Sequence, residues 1–161
     1  MINFTFLKII VSRNSSIMYT GFKHLHSFTA DFTLFFLILS IIYAVYQLLN
    51  KGVFTKKSGK IIFLLALIGT HFQFVVGIAL YFISPLGFSN FSANTMKNSV
   101  GRLYILEHPM MMILGIVLIT IGYSRAKRKE VALAKYKNIA IFYSLGLILI
   151  LSRIPWKAWI G

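Results

Sequence analysis

The sequence predicts an all-α integral membrane protein, an antiparallel bundle of four transmembrane helices. Three observations lead there. The 161 residues are 58% hydrophobic with a mean hydropathy of +0.79, which is too apolar for a soluble domain of this size. Four stretches, residues 27–49, 61–83, 102–123 and 139–155, are each long enough to cross about 30 Å of hydrocarbon. Ten of the 17 Lys and Arg lie in or beside two connecting segments: Lys51, Lys56, Lys57 and Lys60, then Arg125, Lys127, Arg128, Lys129, Lys135 and Lys137. The positive-inside rule then puts both basic loops in the cytoplasm and both termini outside. On this reading the net charge of +14 marks topology and attraction to anionic lipid, and no nucleic-acid interface is expected.

Residues 1–17 fit no element: their apolar run is broken by Lys8, and no small-residue cleavage site follows. Met18 is an alternative start, which would leave 18–161 as a single four-helix domain. The first helix carries His24 and His26 at its outer end. His24, Ser27 and Asp31 share one face, and His26 points elsewhere. A short basic loop over 51–60 makes helices 1 and 2 a hairpin.

The second helix places His71 near the middle of the membrane. Gly69, Gln73 and Gly77 form a four-spaced line expected to pack closely, and His71 points roughly the opposite way. The polar segment 84–100 could carry a short interfacial helix. The third helix is the most informative, because Glu107, His108 and Pro109 interrupt an otherwise apolar span. A charged residue near the centre of a span costs roughly 2.5–3.5 kcal/mol on insertion scales, so such groups face partners or cavities. Pro109 removes a backbone donor and frees the carbonyl of Ile105. Gly115 and Gly122 lie seven and fourteen residues beyond His108 and give that face a thin, close-approach end.

A basic segment of about 14 residues, 124–137, is expected to lead into helix 4. That helix should close the bundle and stop at Ile154-Pro155. Arg153 could pair with a carboxylate, and Trp156 and Trp159 suit the membrane interface.

With no Cys, disulfides, iron–sulfur clusters and covalent haem attachment are excluded. Asp31, Glu107 and Glu130 are the only acidic residues, which leaves little for a paired-carboxylate hydrolase, and no catalytic motif is present. The abundant donor is His, on three of four helices. Imidazoles on facing helices can hold a b-type haem, with Arg meeting its propionates.

The candidate ligands are His71 and His108, with His26 and His24 as further cofactor-site residues. Glu107 would handle protons nearby, and Arg153 or Arg102 would meet a propionate. Counting about 1.5 Å per residue from a common inner boundary puts His71, His108 and His26 at about 16, 25 and 37 Å. No pair matches cleanly in depth, although boundary errors of two to four residues per helix could absorb the gaps of about 9 Å (His71–His108) and about 12 Å (His26–His108).

The pieces YTGFKHLHSF, THFQFVVGIALYFISP, EHPMMMILGIVLITIGYSRAK and IFYSLGLILILSRIPW resemble the short four-helix membrane proteins of Bacteroidota labelled cytochrome b-like. The resemblance covers most of the chain from Met18, and HLHS at 24–27 and EHP at 107–109 are its most specific parts. It implies haem b, a bacterial inner membrane, and His24, His26, His71, Glu107 and His108 as the functional set. Asp31 departs from the basic or apolar residue expected there. The expected function is electron transfer, alone or as a respiratory-complex subunit, with quinone or a larger redox complex as partner. A stand-alone enzyme is not expected. The alternative is a cofactor-free accessory or assembly subunit, and a weaker third is copper or haem handling by HPMMM, where only Met112 shares the His108 face.

Overall fold

The computed structural model describes residues 4–52 and 58–160, the side chains of 4–12, 14, 58 and 160 aside. Its helices are α1 (Phe4–Leu49), α2 (Ser58–Ile83), the short α3 (Ala93–Lys97) and α4 (Ser99–Arg102), α5 (His108–Lys127), α6 (Ala132–Ser152) and α7 (Trp156–Ile160). A turn of π-helix, Leu103–Glu107, joins α4 to α5. Four helical stretches are long and apolar enough to cross a membrane: Ser15–Leu49, Gly59–Ile83, Ser99–Lys127 and Ala132–Ser152. The protein is thus an all-α, multi-pass membrane protein, as the hydropathy requires. Phe28, Phe35, Val75 and Ile148 are all more than 60% exposed, a surface suited to lipid.

The spans form a ring in chain order: α1 packs on α2 and α6, α5 on α6 and, more sparingly, on α2. The last span therefore closes the bundle, as expected.

Several expected boundaries shift. Residues 4–17, read as fitting no element, continue α1 without a break. Lys8 and Arg13 interrupt the hydrophobic pattern but not the backbone, because no Pro or Gly precedes Gly21. The expected 14-residue basic segment shrinks to 128–131, since α5 runs to Lys127 and α6 starts at Ala132. Lys, Arg, Ala and Leu are strong helix formers, so charge alone does not stop either helix. Most of the first basic loop, residues 53–57, lies outside the described residues. The fourth span, α6, ends at Ser152 because Pro155 keeps Ile154 out of the helical region. Segment 84–100 folds as a 3-10 turn (Phe88–Asn90) and α3, and runs into α4. Ser92 caps α3 and Asn98 caps α4.

The core lies toward the basic end of the bundle. Tyr136 and Tyr143 on α6 are fully buried, packed edge-on against Phe63 of α2. The Tyr143 hydroxyl donates to the Phe63 carbonyl at 2.9 Å, since a buried phenol needs a partner. Gly115 and Gly146 let α5 and α6 meet backbone to backbone. A Cβ on Gly115 would stand 2.9 Å from Ile150 Cγ1 and 3.2 Å from the Gly146 carbonyl.

Gly115→Val should force α5 and α6 apart and destabilise the fold by about 1–3 kcal/mol. Unfolding titrated with a denaturing detergent, compared with wild type, measures it.

Candidate functional site

Pro109 has no N–H to give to Ile105, four residues back. The chain responds with the π-turn just before it, in which the His108 N–H reaches the Leu103 carbonyl. Such single-turn π-bulges gather at functional sites. The freed Ile105 carbonyl accepts from the Tyr81 hydroxyl of α2 at 3.0 Å. Tyr81 is a residue the sequence reading missed, although it continues the line Gly69, Gln73, Gly77 by one more step of four.

Around this turn three helices converge. Glu107 sits between two guanidiniums, with Arg102 Nε at 2.7 Å and Arg153 Nε at 3.2 Å. Arg153 thus meets a carboxylate, as expected, and that carboxylate is Glu107. Its backbone carbonyl, freed at the end of α6, accepts from His108 Nδ1 at 2.8 Å. A carbonyl only accepts, so Nδ1 carries the hydrogen and Nε2 keeps its lone pair.

His26 reaches the same place from α1. Its ring lies 6.2 Å from that of His108, centre to centre, with the planes at 77°. The Gln73 amide nitrogen stands 3.1 Å from His26 Nδ1 and donates to the His26 carbonyl at 2.9 Å. Thr29 in turn donates to the Gln73 amide oxygen. Gly77 gives the ring its room, as a Cβ there would stand 3.2 Å from His26 Cε1. The close-packing line of α2 is therefore spent on α1, with Gly69 against Thr33 and Gly77 against His26. Gln73 and Thr29 are positioning residues that the sequence reading assigned no such role.

The His71–His108 pairing is not formed. His71 Nδ1 donates to its own helix at Leu67 O (2.8 Å), and Nε2 lies 3.4 Å from Thr120 of α5. Thr120 is twelve residues beyond His108, about 18 Å along the helix. Two ligands of one metal cannot be that far apart.

The pair expected to be about 12 Å apart in depth, His26 and His108, is instead in contact. The assumed common boundary caused the error. From His26 to the end of α1 at Leu49 is 23 residues, and from His108 to the end of α5 at Lys127 is 19, a difference of about 6 Å. His24 and Asp31 are exposed on α1, away from this cluster. Met112, the one methionine of HPMMM on the His108 face, packs against the core.

Among the described residues no three His, Asp or Glu side chains are grouped to hold a metal. Zinc wants three or four protein ligands. Two imidazoles alone suit a group that brings its own equatorial ligands. A metal bound at about 2.0–2.1 Å to each of two imidazole nitrogens sets the ring centres about 6 Å apart, and His26 and His108 have that spacing. His108 is already in the ligating tautomer. The Gln73 amide nitrogen stands within 3.4 Å of both His26 ring nitrogens, so it orients that ring without fixing one tautomer.

No protein-family model, curated protein or solved structure matches this chain.

Tyr81→Phe leaves the Ile105 carbonyl bare and should cost about 1–3 kcal/mol. Pro109→Ala restores the missing backbone donor, so the same change in that background should cost less than half as much. The two unfolding titrations together make a double-mutant cycle.

Proposed function

We propose that the protein is a b-type haem-binding electron-transfer protein of a bacterial inner membrane, with His26 and His108 as the axial pair. The 6.2 Å spacing of the two rings carries this reading. Bound there, haem would supply one-electron redox chemistry. The chain's own part is to hold the two rings. Arg153 O fixes the His108 tautomer, Gln73 orients His26, and Gly77 admits its ring. Arg102 and Arg153 would meet propionates at the same level, sharing their charge with Glu107.

The resemblance to the short cytochrome b-like proteins of Bacteroidota supports the same assignment. With the basic ends of the spans in the cytoplasm, both termini and this site lie toward the outer face. Electrons would pass there to or from quinone or a larger respiratory complex. An accessory subunit without cofactor finds less support, because the glycine line of α2 is consumed inside the bundle and is not open to a partner.

Expression with ample haem and extraction in mild detergent should give a Soret band that His26→Ala or His108→Ala removes. His24→Ala and His71→Ala should retain it. A wild-type protein without the band, or a band that survives both site variants, overturns the assignment.

A further inference from the structure

His71 stands apart from the cluster just described, half-way along α2, 13 residues from Ser58 and 12 from Ile83. It is exposed, and it opens a groove of about 360 Å³ where α2 and α5 pack most sparingly. Phe74, Ile113, Val117 and Ile121 give that groove apolar walls, and His71 and Thr120 are its two polar side chains. The volume is within the about 300–1,000 Å³ typical of small-molecule sites. At this depth it faces hydrocarbon, so only a membrane-soluble molecule can enter it.

The hydrogen bonds say what that molecule must offer. His71 Nδ1 donates to the Leu67 carbonyl at 2.8 Å, which leaves Nε2 with a lone pair. The Thr120 hydroxyl donates to the Ile116 carbonyl at 2.7 Å, so its oxygen faces the groove as an acceptor too. These two acceptors are 3.4 Å apart, and Thr120 has already given its one hydrogen to the shorter bond. A phospholipid acyl chain carries no donor for them. A quinone offers only carbonyl acceptors and meets them acceptor to acceptor. An aromatic ring bearing hydroxyls can donate to Nε2 while its faces lie against Phe74 and the aliphatic wall.

We propose that the α2–α5 groove binds a lipid-soluble quinol, one ring hydroxyl donating to His71 Nε2. The site prefers the reduced, hydroxyl-bearing ligand to the quinone. It stands on the groove alone and does not require a group between His26 and His108, which lie about three helical turns away.

The test uses the full chain in nanodiscs of synthetic, quinone-free phospholipid, titrated with a radiolabelled short-tailed naphthoquinol under reducing conditions. Saturable binding is expected, about tenfold weaker for the matching naphthoquinone titrated without reductant, the size of one hydrogen bond. His71→Leu should weaken quinol binding about tenfold. Val117→Trp, which fills the groove and leaves His71 untouched, should abolish it. His24→Ala, exposed on α1 away from the groove, should leave quinol binding unchanged, and the Soret band is scored on the same wild-type sample, so failure here and failure of the haem assignment are read separately. Partition into the lipid alone, equal affinity for quinone and quinol, or binding indifferent to both groove variants overturns the proposal.

Discussion

A helix surrounded by hydrocarbon cannot leave a backbone carbonyl bare, and Pro109 creates one such carbonyl at Ile105. Much of the architecture at the histidine end follows from how it is covered. The Tyr81 hydroxyl reaches across from α2 and ties the two most loosely packed spans together at that level. The π-turn that accommodates the proline also sets which way the next residues face. Glu107 and His108 are adjacent in sequence, yet both end on Arg153, one on its guanidinium and the other on its carbonyl. Without the proline an unbroken helix would need neither the turn nor the tyrosine.

The end of α6 answers the same demand from the other side. Pro155 stops that helix, and a stopped helix presents carbonyls with no intrahelical partner. Arg153 O is one of them, and His108 is its donor. Two prolines on two helices thus generate two unsatisfied carbonyls, and a tyrosine and a histidine meet them. The imidazole so captured is held in one tautomer, its ring centre 6.2 Å from that of His26. The contact between the two rings is a by-product of backbone satisfaction as much as of side-chain choice.

How much of this was legible in the sequence depends on the range of the interaction. Hydropathy placed all four spans, because crossing a membrane is a property of each stretch by itself. The freed Ile105 carbonyl was legible for the same reason, as Pro109 acts only four residues away. The partner of that carbonyl was not, since Tyr81 lies 24 residues off and its identity depends on how α2 and α5 pass each other. The pairing of His26 with His108 was hidden by a different assumption, that helix ends are flush. α1 and α5 end at different levels, and an error of two to four residues at each boundary is enough to separate, on paper, two rings that are in contact. Gln73 was seen as part of a packing line. That it touches His26 could not be read without knowing which helix the line faces.

His71 and His108 show why residue type alone could not sort the histidines. Each gives its Nδ1 hydrogen to a carbonyl, and each is left with a lone pair on Nε2. The difference lies in whose carbonyl it is. His71 donates to Leu67 on its own helix, which fixes the ring to α2 and to nothing else. His108 donates to Arg153 on α6, so its ring is fixed to the bundle and moves only if two helices move. Ligands that hold a rigid group want the second arrangement, because orientation must survive the motion of any one helix. A site that admits and releases a molecule from the bilayer is better served by the first, with the ring at the surface and the groove wall free to adjust. On the two proposals the same side chain would serve two different kinds of binding in one small bundle, and the hydrogen-bond partner of Nδ1 would decide which.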